Sequence, residues 1–415
     1  MVAERKTSRA LEGIRVLDLS QVVSGPMCSF YLAALGAEVI RVERPGGDLT
    51  WKVPPFYGPR GRHRETRQPD EVSLSGMKRN RGKRSVMISL DEPEGVEVVA
   101  SLAEQSDVLV ENFRPGVSER LGLGWQTLSA RNPRLLYCAI SGYGQTGPAR
   151  HHQAMDFTVE AASGLMAKTG FPDAPPTKVG FPIGDLGPAT FAALAVVAAL
   201  RQRDRDGRGQ FIDVSMYDVL VSWLWDDPLD EYEDAATEPR SGNRDPRGSP
   251  SNSYRCTDGW VNVVVTDDRQ WADLVSILDR PDLAAYATNV DRVAVNERID
   301  ESLADWCREQ RSDDVVSRLR AAEIPVAAVQ PPWQARHDPH AKSRDILETL
   351  RHRSGEQVRS TDRLGPCFPV RFSETDTGTG PAEAPGASTD RVLREVLQLD
   401  EGTLRDLRSR GVIGA

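Results

Sequence analysis

A run of basic residues stands out in an acidic chain. Residues 78–84 read KRNRGKR, in which five of seven residues are Lys or Arg, whereas the 415-residue chain has a formal net charge of −9. The acidic balance argues against nucleic acid as a partner, because domains that bind nucleic acid are usually basic as a whole. A local cluster of positive charge instead suits a small polyanion, since Lys and Arg bind phosphate groups through charge-assisted hydrogen bonds.

A second candidate for chemistry is an aspartate in a proline-rich turn. Asp173 lies in KTGFPDAPPTKVG, where Pro172, Pro175 and Pro176 stiffen a short loop after Gly170. Because proline fixes φ, such a loop holds a carboxylate at a defined position. A carboxylate can act as a nucleophile toward an activated acyl group. An ordinary turn residue is the commoner role of Asp in such a sequence, so the residues alone favour that interpretation.

Alternating strand-like and helix-like segments must position these residues. β-Rich runs occupy residues 14–20, 37–43, 84–90, 107–113 and 134–141, and helical segments lie between them. Strands that alternate with helices predict βαβ units and a mostly parallel sheet, with ligands bound at the carboxyl ends of the strands. The sequence therefore predicts an α/β fold.

A dinucleotide-binding site is one alternative for this pattern. Glu43 ends the second strand, where a ribose-binding acid would lie, but the turn after the first strand reads SGPMCS. Without a G-x-G-x-x-G sequence, the backbone does not approach a pyrophosphate in the usual way. His337 and His340 lack a complete set of partner ligands, so no metal site is expected either.

Three features favour a cytoplasmic protein without a membrane partner. The five cysteines are odd in number and scattered, which excludes the usual disulfide frameworks and zinc spacings. The N-terminal residues MVAERKTSRALEG contain no apolar signal-peptide core. The apolar run FAALAVVAAL, residues 191–200, is too short to cross a bilayer and predicts a buried helix.

Eight stretches share an order with a known family. They read VLDLSQVVSGPMCS, LGAEVIRVERPGGD, NRGKRSVMISL, DVLVENFRPGVSERLG, ISGYGQTGP, MDFTVEAASGLMAKTGFPDAPPTKVGFPIGDL, GRGQFIDVSMYD and YRCTDGWVNVVV. Together they resemble the class III CoA-transferases, the CaiB/BaiF family that includes formyl-CoA transferase and carnitine CoA-transferase. The resemblance implies a discontinuous Rossmann-like large domain, formed by residues 1–225 and 335–415, and a smaller α/β domain at 226–334.

The resemblance also implies a reaction and partners. Such an enzyme moves CoA from an acyl-CoA to a carboxylic acid through an aspartyl intermediate, and Asp173 matches the family's nucleophile. Acyl-CoA is a substrate, no cofactor is permanently bound, and two chains form an interlocked homodimer. Family positions that contact CoA match eight residues of this chain: Val22, Ser24, Arg44, Lys83, Arg84, Asn112, Phe113 and Arg120.

A glycine-bearing loop follows the fifth strand. The family's corresponding loop lies near the acyl end of CoA, and here it contains Gly142, Tyr143, Gly144 and Gln145. Its backbone N–H groups could stabilise an oxyanion, or the loop is a plain exit from the strand. The two interpretations remain open at this point.

Two other functions compete with CoA transfer. The related 2-methylacyl-CoA racemases use a His–Asp pair and a further Asp, which match Met155, Asp156 and Asp185. Methionine does not accept a proton, so one required base is missing, and the two aspartates are expected to organise the site by hydrogen bonding. A CoA-binding protein without catalysis is the third possibility, and the intact Asp173 argues against it.

The sequence also departs from the family at several points. Formyl-CoA transferase has a glycine run in a mobile loop, and the nearest counterpart here is RSGNRDPRGSP with Gly242 and Gly248. Val23 replaces a glutamine of that enzyme, which argues for acids other than formate and oxalate. A second basic cluster has no clear family counterpart and reads as a surface insertion of unknown role: Arg60, Arg62, His63, Arg64 and Arg67.

Overall fold

The protein alternates strands and helices along most of its length. The computed structural model describes residues 9–225, 240–354 and 357–414. The strands are β1 (Arg15–Asp18), β2 (Glu38–Glu43), β3 (Phe56–Gly58), β4 (Gly61–His63), β5 (Val72–Ser73), β6 (Lys83–Met87), β7 (Val108–Glu111), β8 (Leu136–Ser141), β9 (Phe211–Ser215), β10 (Ser251–Arg255), β11 (Trp260–Val264), β12 (Val326–Ala328), β13 (Leu347–Ser354), β14 (Gln357–Pro366) and β15 (Ala382–Glu383).

Helices separate most of these strands. They are α1 (Ser24–Ala34), α2 (Leu74–Arg79), α3 (Pro93–Glu104), α4 (Val117–Arg120), α5 (Trp125–Arg131), α6 (Asp156–Ala162), α7 (Leu165–Lys168), α8 (Ile183–Asp206), α9 (Met216–Leu224), α10 (Asp268–Leu278), α11 (Asn289–Ala294), α12 (Asn296–Arg308), α13 (Ser312–Ala321), α14 (Pro332–Ala335), α15 (Pro339–Ser343), α16 (Thr389–Leu397) and α17 (Glu401–Ser409). Two short 3₁₀ helices span Leu49–Trp51 and Pro281–Ala285.

Six parallel strands form the main sheet in the order β6-β2-β1-β7-β8-β9. From β1 the chain moves outward to β2 and β6 on one side, and from β7 to β8 and β9 on the other. The direction therefore reverses between β1 and β7, and open α/β sheets bind ligands beyond the strand ends at such a point. The predicted α/β fold with a parallel sheet is confirmed.

The chain divides into two compact units. The first contains the described residues up to 164, those from 180 to 225 and those from 340 onward. The second contains residues 165–179 and the described residues from 240 to 339. The segment that carries Asp173 thus groups with the middle of the chain, whereas the sequence-based boundaries, which stay a prediction, assign it to the large domain.

Each unit has its own apolar core. In the first, α3, α16 and α17 cover one face of the parallel sheet with side chains such as Leu102, Leu393 and Leu404, each fully buried. In the second, α10, α12 and α13 pack against the antiparallel sheet β10-β11-β12. The alternating burial of Val261 and Val263 in β11 reflects a sheet with one covered face.

Three segments differ from the sequence-based expectations. Residues 378–388 read GTGPAEAPGAS, a composition that predicts a flexible crossing. They instead contain β15, and Glu383 within it is buried. Arg62 and His63 of the cluster at 60–67 lie in β4 of a small antiparallel sheet, β4-β3-β5. The sequence does not predict the long hairpin β13–β14.

Residues 226–253 are charged and rich in Pro, Gly and Ser, which predicts a linker or an active-site loop. The first half of this segment, 226–239, lies outside the described residues.

The predicted buried helix at 191–200 is the middle of α8, which is 24 residues long. By length and composition alone α8 is apolar enough to cross a membrane, yet half of its most apolar window is buried inside the fold. Its buried face includes Ala192 and Val196, whereas Leu194 is 63% exposed. The prediction of burial is therefore correct for one face only.

A buried ion network lies beneath the carboxyl edge of the sheet. Asp18, at the end of β1, accepts hydrogen bonds from Arg41 Nη1 and Lys83 Nζ, both at 3.1 Å. Arg41 Nη2 donates to Asp48 Oδ2 at 2.9 Å, and all four side chains are buried. Burial raises the pKa of Asp18, but the charges of Lys83 and Arg41 outweigh it and hold that pKa well below its usual range.

Replacing Lys83 with Met should destabilise the fold. The substitution removes the hydrogen bonds of Nζ to Asp18 and to the carbonyl oxygen of Pro26. Breaking a buried ion pair typically costs 3–5 kcal/mol; because Arg41 remains on Asp18, we expect the free energy of unfolding in urea to fall by about 3 kcal/mol.

Arg84→Gln is the matched control. Arg84 is the next residue and binds Glu38 and Glu395, each at 2.5 Å, but the Glu395 side chain is 54% exposed. Exposed ion pairs contribute about 0–1 kcal/mol. Equal losses of unfolding free energy in the two variants would contradict the structural role of Lys83.

Candidate active site

A cleft of about 490 Å³ opens where the direction of the sheet reverses. We name it the switch-point cleft. Its walls come from the turn after β1, the segment after β7, the end of β8, the residues that precede and begin α6, and one residue each from α8 and α9. The lining residues are 21–24, 112–115, Val117, 140–142, Arg150, His152, 154–156, Asp185 and Met216. Residues from four sequence-predicted segments therefore meet in one place with Asp185: Val22 and Ser24, Asn112 and Phe113, Gly142, and Met155 and Asp156.

The turn after β1 is held from three sides. Val22 has a φ of +65°, which is strained for a β-branched side chain. Its N–H donates to Asp48 Oδ2 at 3.0 Å, and its carbonyl oxygen accepts from Arg79 Nη1 at 3.1 Å. Asn112 binds both the N–H and the carbonyl of Gln21, at 2.7 and 2.8 Å. The buried ion network thus extends through Asp48 to the wall of the cleft.

The first residue of α1 also faces this cleft. Ser24 is buried, and its Oγ accepts from Asn112 Nδ2 at 3.4 Å. The helix is 11 residues long, and its N-terminal N–H groups make that end favourable for an anion. Sequence reasoning identified Val22, Ser24 and Asn112 through the resemblance, but it missed Asp48 and Arg79, whose residue types carry no signal of this role.

The basic run at 78–84 is not the exposed positive surface that the sequence suggested. Arg79 reaches the turn after β1, Arg81 is buried and pairs with Glu348, and Lys83 is buried on Asp18. The charges of Arg81, Lys83 and Arg84 therefore compensate acids of the protein itself. The contacts of Lys83 and Arg84 with CoA stay a prediction, and the burial of Lys83 argues against a direct one.

The remaining expected CoA contacts lie near the strand ends. Arg44 directly follows β2 and is exposed, and Arg120 is the exposed last residue of α4. Phe113 lines the switch-point cleft, and its other side packs on the apolar core. Arg44 and Arg120 are not among the lining residues of the cleft, so the structure does not bring all eight positions together.

The loop after β8 is held by a hydrogen bond to the side chain of Asp213 in β9. Gln145 N donates to Asp213 Oδ2 at 3.0 Å, and Gly144 adopts a φ of +82° beside that carboxylate. Of the four loop residues, Gly142 lines the cleft, and Tyr143 is half-buried. Because the N–H of Gln145 is already used by Asp213, the oxyanion interpretation is not supported at that position.

Two aspartates form the acidic side of the cleft. Asp156 begins α6 and is buried, and its Oδ1 accepts from Gly184 N at 2.7 Å. Burial raises the pKa of Asp185 to about 6; the nearby charge of Asp156 adds to this shift and that of Arg79 opposes it. The carboxyl group of Asp185 therefore exchanges a proton about one unit below neutral pH. Met155, which also lines the cleft, is 66% exposed.

Asp173 lies in the second unit, on an exposed loop with a braced backbone. Arg240 donates from Nη1 to the carbonyl of Ala174 at 2.6 Å and from Nη2 to that of Pro172 at 3.2 Å. Gly242 N donates to the carbonyl of Gly170 at 3.0 Å. The predicted stiff turn is therefore also held by RSGNRDPRGSP, the stretch considered as a substitute for the family's glycine loop.

No cluster of His, Cys, Asp and Glu side chains in the described ranges could hold a metal ion. The five cysteines are free thiols.

Asp185 should make stability depend on pH. Its pKa rises from an ordinary 3.8 to about 6 in the folded protein, so the folded state binds more protons between these values. The stability contributed by the protonated form is present at low pH and is lost as pH rises through 6. Relative to Asp185→Asn, the wild type should lose about 1 kcal/mol of unfolding free energy between about pH 5 and pH 8.

Urea unfolding of both proteins across this range measures the effect. Asp91→Asn, at an exposed position, is the control and should leave the pH dependence unchanged. A difference between wild type and Asp185→Asn that stays constant across the range would contradict the assignment.

Comparisons with known proteins agree with this architecture. The family model for CoA-transferase family III matches residues 11–391. A succinyl-CoA:mesaconate CoA-transferase from Haloarcula hispanica is 38% identical over 89% of this chain and 92% of its own. A succinyl-CoA–D-citramalate CoA-transferase from Chloroflexus aurantiacus is 34% identical over 99% and 100%. A formyl-CoA:oxalate CoA-transferase from Streptomyces coelicolor is 33% identical over 98% and 100%.

Solved structures agree as well. The crystal structure of a CaiB/BaiF family protein from Brucella suis has a TM-score of 0.80 and 29% identity, and the match covers 94% of this chain and 99% of that protein. The sequence-based resemblance is thus confirmed. The chain belongs to CoA-transferase family III.

Proposed function

We propose that this protein moves CoA from an acyl-CoA to a dicarboxylic acid, with Asp173 as the covalent nucleophile. One observation carries the proposal: the carboxylate of Asp173 is exposed on a loop whose backbone is fixed by Arg240 and Gly242. A nucleophile must be accessible and must be held in a defined position. An ordinary surface turn does not require three hydrogen bonds from a neighbouring segment.

The reaction has a simple electron balance. A carboxylate oxygen of Asp173 attacks the thioester carbonyl carbon, the C–S bond breaks, and CoA leaves as a thiolate. The thiolate attacks the aspartyl carbonyl of the mixed anhydride and releases the donor as a carboxylate. The acceptor carboxylate then attacks the aspartyl thioester. The released thiolate attacks the new anhydride at the acceptor carbonyl, which forms the product and restores Asp173.

The switch-point cleft supports the binding of an anionic carrier. The helix α1 begins at the cleft wall with Ser24, and the free N–H groups of a helix N-terminus favour an anion. Ser24 and Asn112 add polar side chains. Arg44 and Arg120 follow β2 and end α4, where exposed guanidinium groups suit phosphate. We therefore assign the carrier to the region of the strand ends, and we leave Lys83 out of the contacts.

A dicarboxylic acceptor follows from two lines of support. The relatives named above act on mesaconate, D-citramalate and oxalate, which all carry two carboxylates. In this chain, Arg114 and Arg150 line the cleft, and a guanidinium group suits the carboxylate that does not receive CoA. Val23, buried where formyl-CoA transferase has glutamine, favours an acid larger than oxalate.

Racemisation remains the second candidate because of Asp185. A carboxyl group with a pKa of about 6 is suited to general base catalysis. Racemisation also needs a second base on the opposite face of the substrate, and Met155 does not provide one. Uptake of solvent deuterium at the α-carbon of a 2-methylacyl-CoA, without CoA transfer, would favour the racemase.

We also infer a homodimer and a cytoplasmic location. An exposed apolar face supports the dimer: Leu194 is 63% exposed, and the rings of Phe191 and Trp223 lie 5.9 Å apart on the surface of the first unit. Light scattering after size exclusion tests the dimer. Free cysteines are common in reducing compartments, which supports the location, and fractionation of cells tests it.

Asp173→Asn should abolish CoA exchange while CoA binding stays nearly unchanged. Asparagine keeps the size of the side chain but is not a carboxylate nucleophile, and loss of a covalent nucleophile typically lowers kcat by at least about 10³-fold. Chromatography of succinyl-CoA with mesaconate as acceptor measures exchange, and calorimetry with CoA measures binding.

Asp313→Asn is the control for a surface aspartate of the same unit, at the start of α13, and should exchange at the wild-type rate. Asp185→Asn should retain measurable exchange. CoA exchange at the wild-type rate in Asp173→Asn, or complete loss of exchange only in Asp185→Asn, would show that Asp173 is not the nucleophile.

A further inference from the structure

A second cleft, of about 420 Å³, lies within the first unit and shares no residue with the switch-point cleft. We name it the Trp51 cleft. Its volume falls in the range of about 300–1,000 Å³ that is typical of small-molecule sites. Its walls come from the small sheet β3–β5, from the hairpin β13–β14 and from the segment after β15: Trp51, 57–59, Arg67, 69–72, His352, 359–361, Ala384 and Pro385.

The lining of this cleft is largely apolar and aromatic. Trp51 is 3% exposed, and its Nε1 donates to Glu43 Oε1 at 2.7 Å. The ring of His352 meets the indole edge-on, with ring centroids 6.0 Å apart. Pro59 and Val72 complete the apolar wall. This surface suits the hydrocarbon body of a ligand.

His352 is buried without a partner for one ring nitrogen. The side chain is 6% exposed, and its Nε2 has no hydrogen-bond partner among the described residues. Burial, together with the charges of Arg359 and Arg67, lowers its pKa to about 4, so the imidazole is neutral at pH 7. A buried polar nitrogen without a partner is unfavourable, and such groups often mark a place where a ligand completes the hydrogen bonds.

Two guanidinium groups make the cleft positive. Arg359 is exposed on β14, directly opposite His352 in the strand register. Arg67 stands on the other wall, where its Nε donates to the carbonyl of Glu71 at 2.9 Å. The carboxylate of Glu71 is occupied, because Arg60 Nε donates to it at 2.7 Å.

The other titratable groups leave this positive balance in place. His63 Nε2 lies 2.8 Å from the same Glu71 carboxylate. Asp70, which lines the cleft, is exposed. Because Glu71 is paired with Arg60, the charges of Arg67 and Arg359 are opposed only by Asp70 among the lining residues, and the cleft is positive overall.

We propose that the Trp51 cleft is a second binding site, for a small organic carboxylate with an apolar body. Arg67 and Arg359 bind the carboxylate, His352 supplies a neutral hydrogen-bonding group, and Trp51 with the proline-rich walls packs on the hydrocarbon part. The site gives a role to two members of the basic cluster at 60–67: Arg67 lines one wall of the cleft, and Arg60 pairs with Glu71, which also lines it.

Binding of 4-fluorobenzoate, followed by ¹⁹F NMR, tests this site. The wild type should bind with a Kd on the order of 1 mM, as expected for a ligand of about ten heavy atoms. Arg359→Gln and Arg67→Gln should each weaken binding about tenfold, since each removes a charge-assisted hydrogen bond. 4-Fluorobenzamide, which has the same body without the charge, should bind at least about tenfold more weakly.

Arg351→Gln is the matched control. Arg351 precedes His352 in β13, so its exposed side chain points to the opposite face of the strand, and this variant should bind like the wild type. Asp173→Asn should also bind normally, because the Trp51 cleft does not depend on the proposed catalysis. This variant separates a failure of the new site from a failure of the proposed mechanism.

His352→Phe distinguishes a ligand group from a purely structural one. Phenylalanine keeps the edge-on contact with Trp51 and removes the unpartnered nitrogen. The melting temperature should therefore stay the same or rise, whereas binding of 4-fluorobenzoate should weaken about tenfold. No binding to the wild type, equal binding of the benzamide, or wild-type binding by Arg67→Gln, Arg359→Gln and His352→Phe would each overturn the proposal.

Discussion

The buried pairing of Asp18 with Arg41 and Lys83 determines how this protein presents its switch-point cleft. Three charged side chains buried away from water are stable only when they are close enough to pair and to form hydrogen bonds with one another. Arg41 also donates a hydrogen bond to Asp48, and Asp48 accepts a hydrogen bond from the backbone N–H of Val22 in the strained turn. The wall of the cleft is therefore fixed by the same contacts that join β1, β2 and β6.

Under the proposed function, a fixed turn at this position favours binding of the carrier. A carrier with phosphate groups needs backbone N–H groups and helix ends that are already oriented, because ordering them at the moment of binding lowers affinity. The amide of Asn112 binds both polar groups of Gln21 and thereby joins the turn after β1 to the end of β7. The loop of Asp173 follows the same principle in the second unit, where Arg240 fixes it from a neighbouring segment.

The sequence predicted the parallel sheet well because its signals are local. The runs at 14–20 and 37–43 are rich in Val, Ile and Leu, and each contains a strand. The partners of the basic run were not predictable, because they lie far away in the sequence: Arg81 pairs with Glu348, 267 residues distant. Without those acids, a positive run looks like a surface for phosphate. The hairpin β13–β14 was missed for a related reason, since its charged strand residues carry no apolar alternation.

The candidate site residues show a similar contrast. Asp173, Asn112 and Ser24 were predicted because their motifs resemble those of a known family. Asp48, Arg79 and Arg240 hold the backbone through contacts that no motif indicates. His352 had no signal at all: it is a single histidine between two arginines, and only the packing of Trp51 against it reveals a cleft.

In the proposed reaction, the side chain of Asp173 forms a covalent bond during turnover. Mass spectrometry of the wild-type enzyme, mixed with succinyl-CoA and then treated with hydroxylamine and digested, detects this bond. We expect an aspartyl hydroxamate on the peptide that contains Asp173 and on no other carboxylate. A hydroxamate at Asp156 or Asp185, or an unmodified Asp173 under conditions of active exchange, would contradict it.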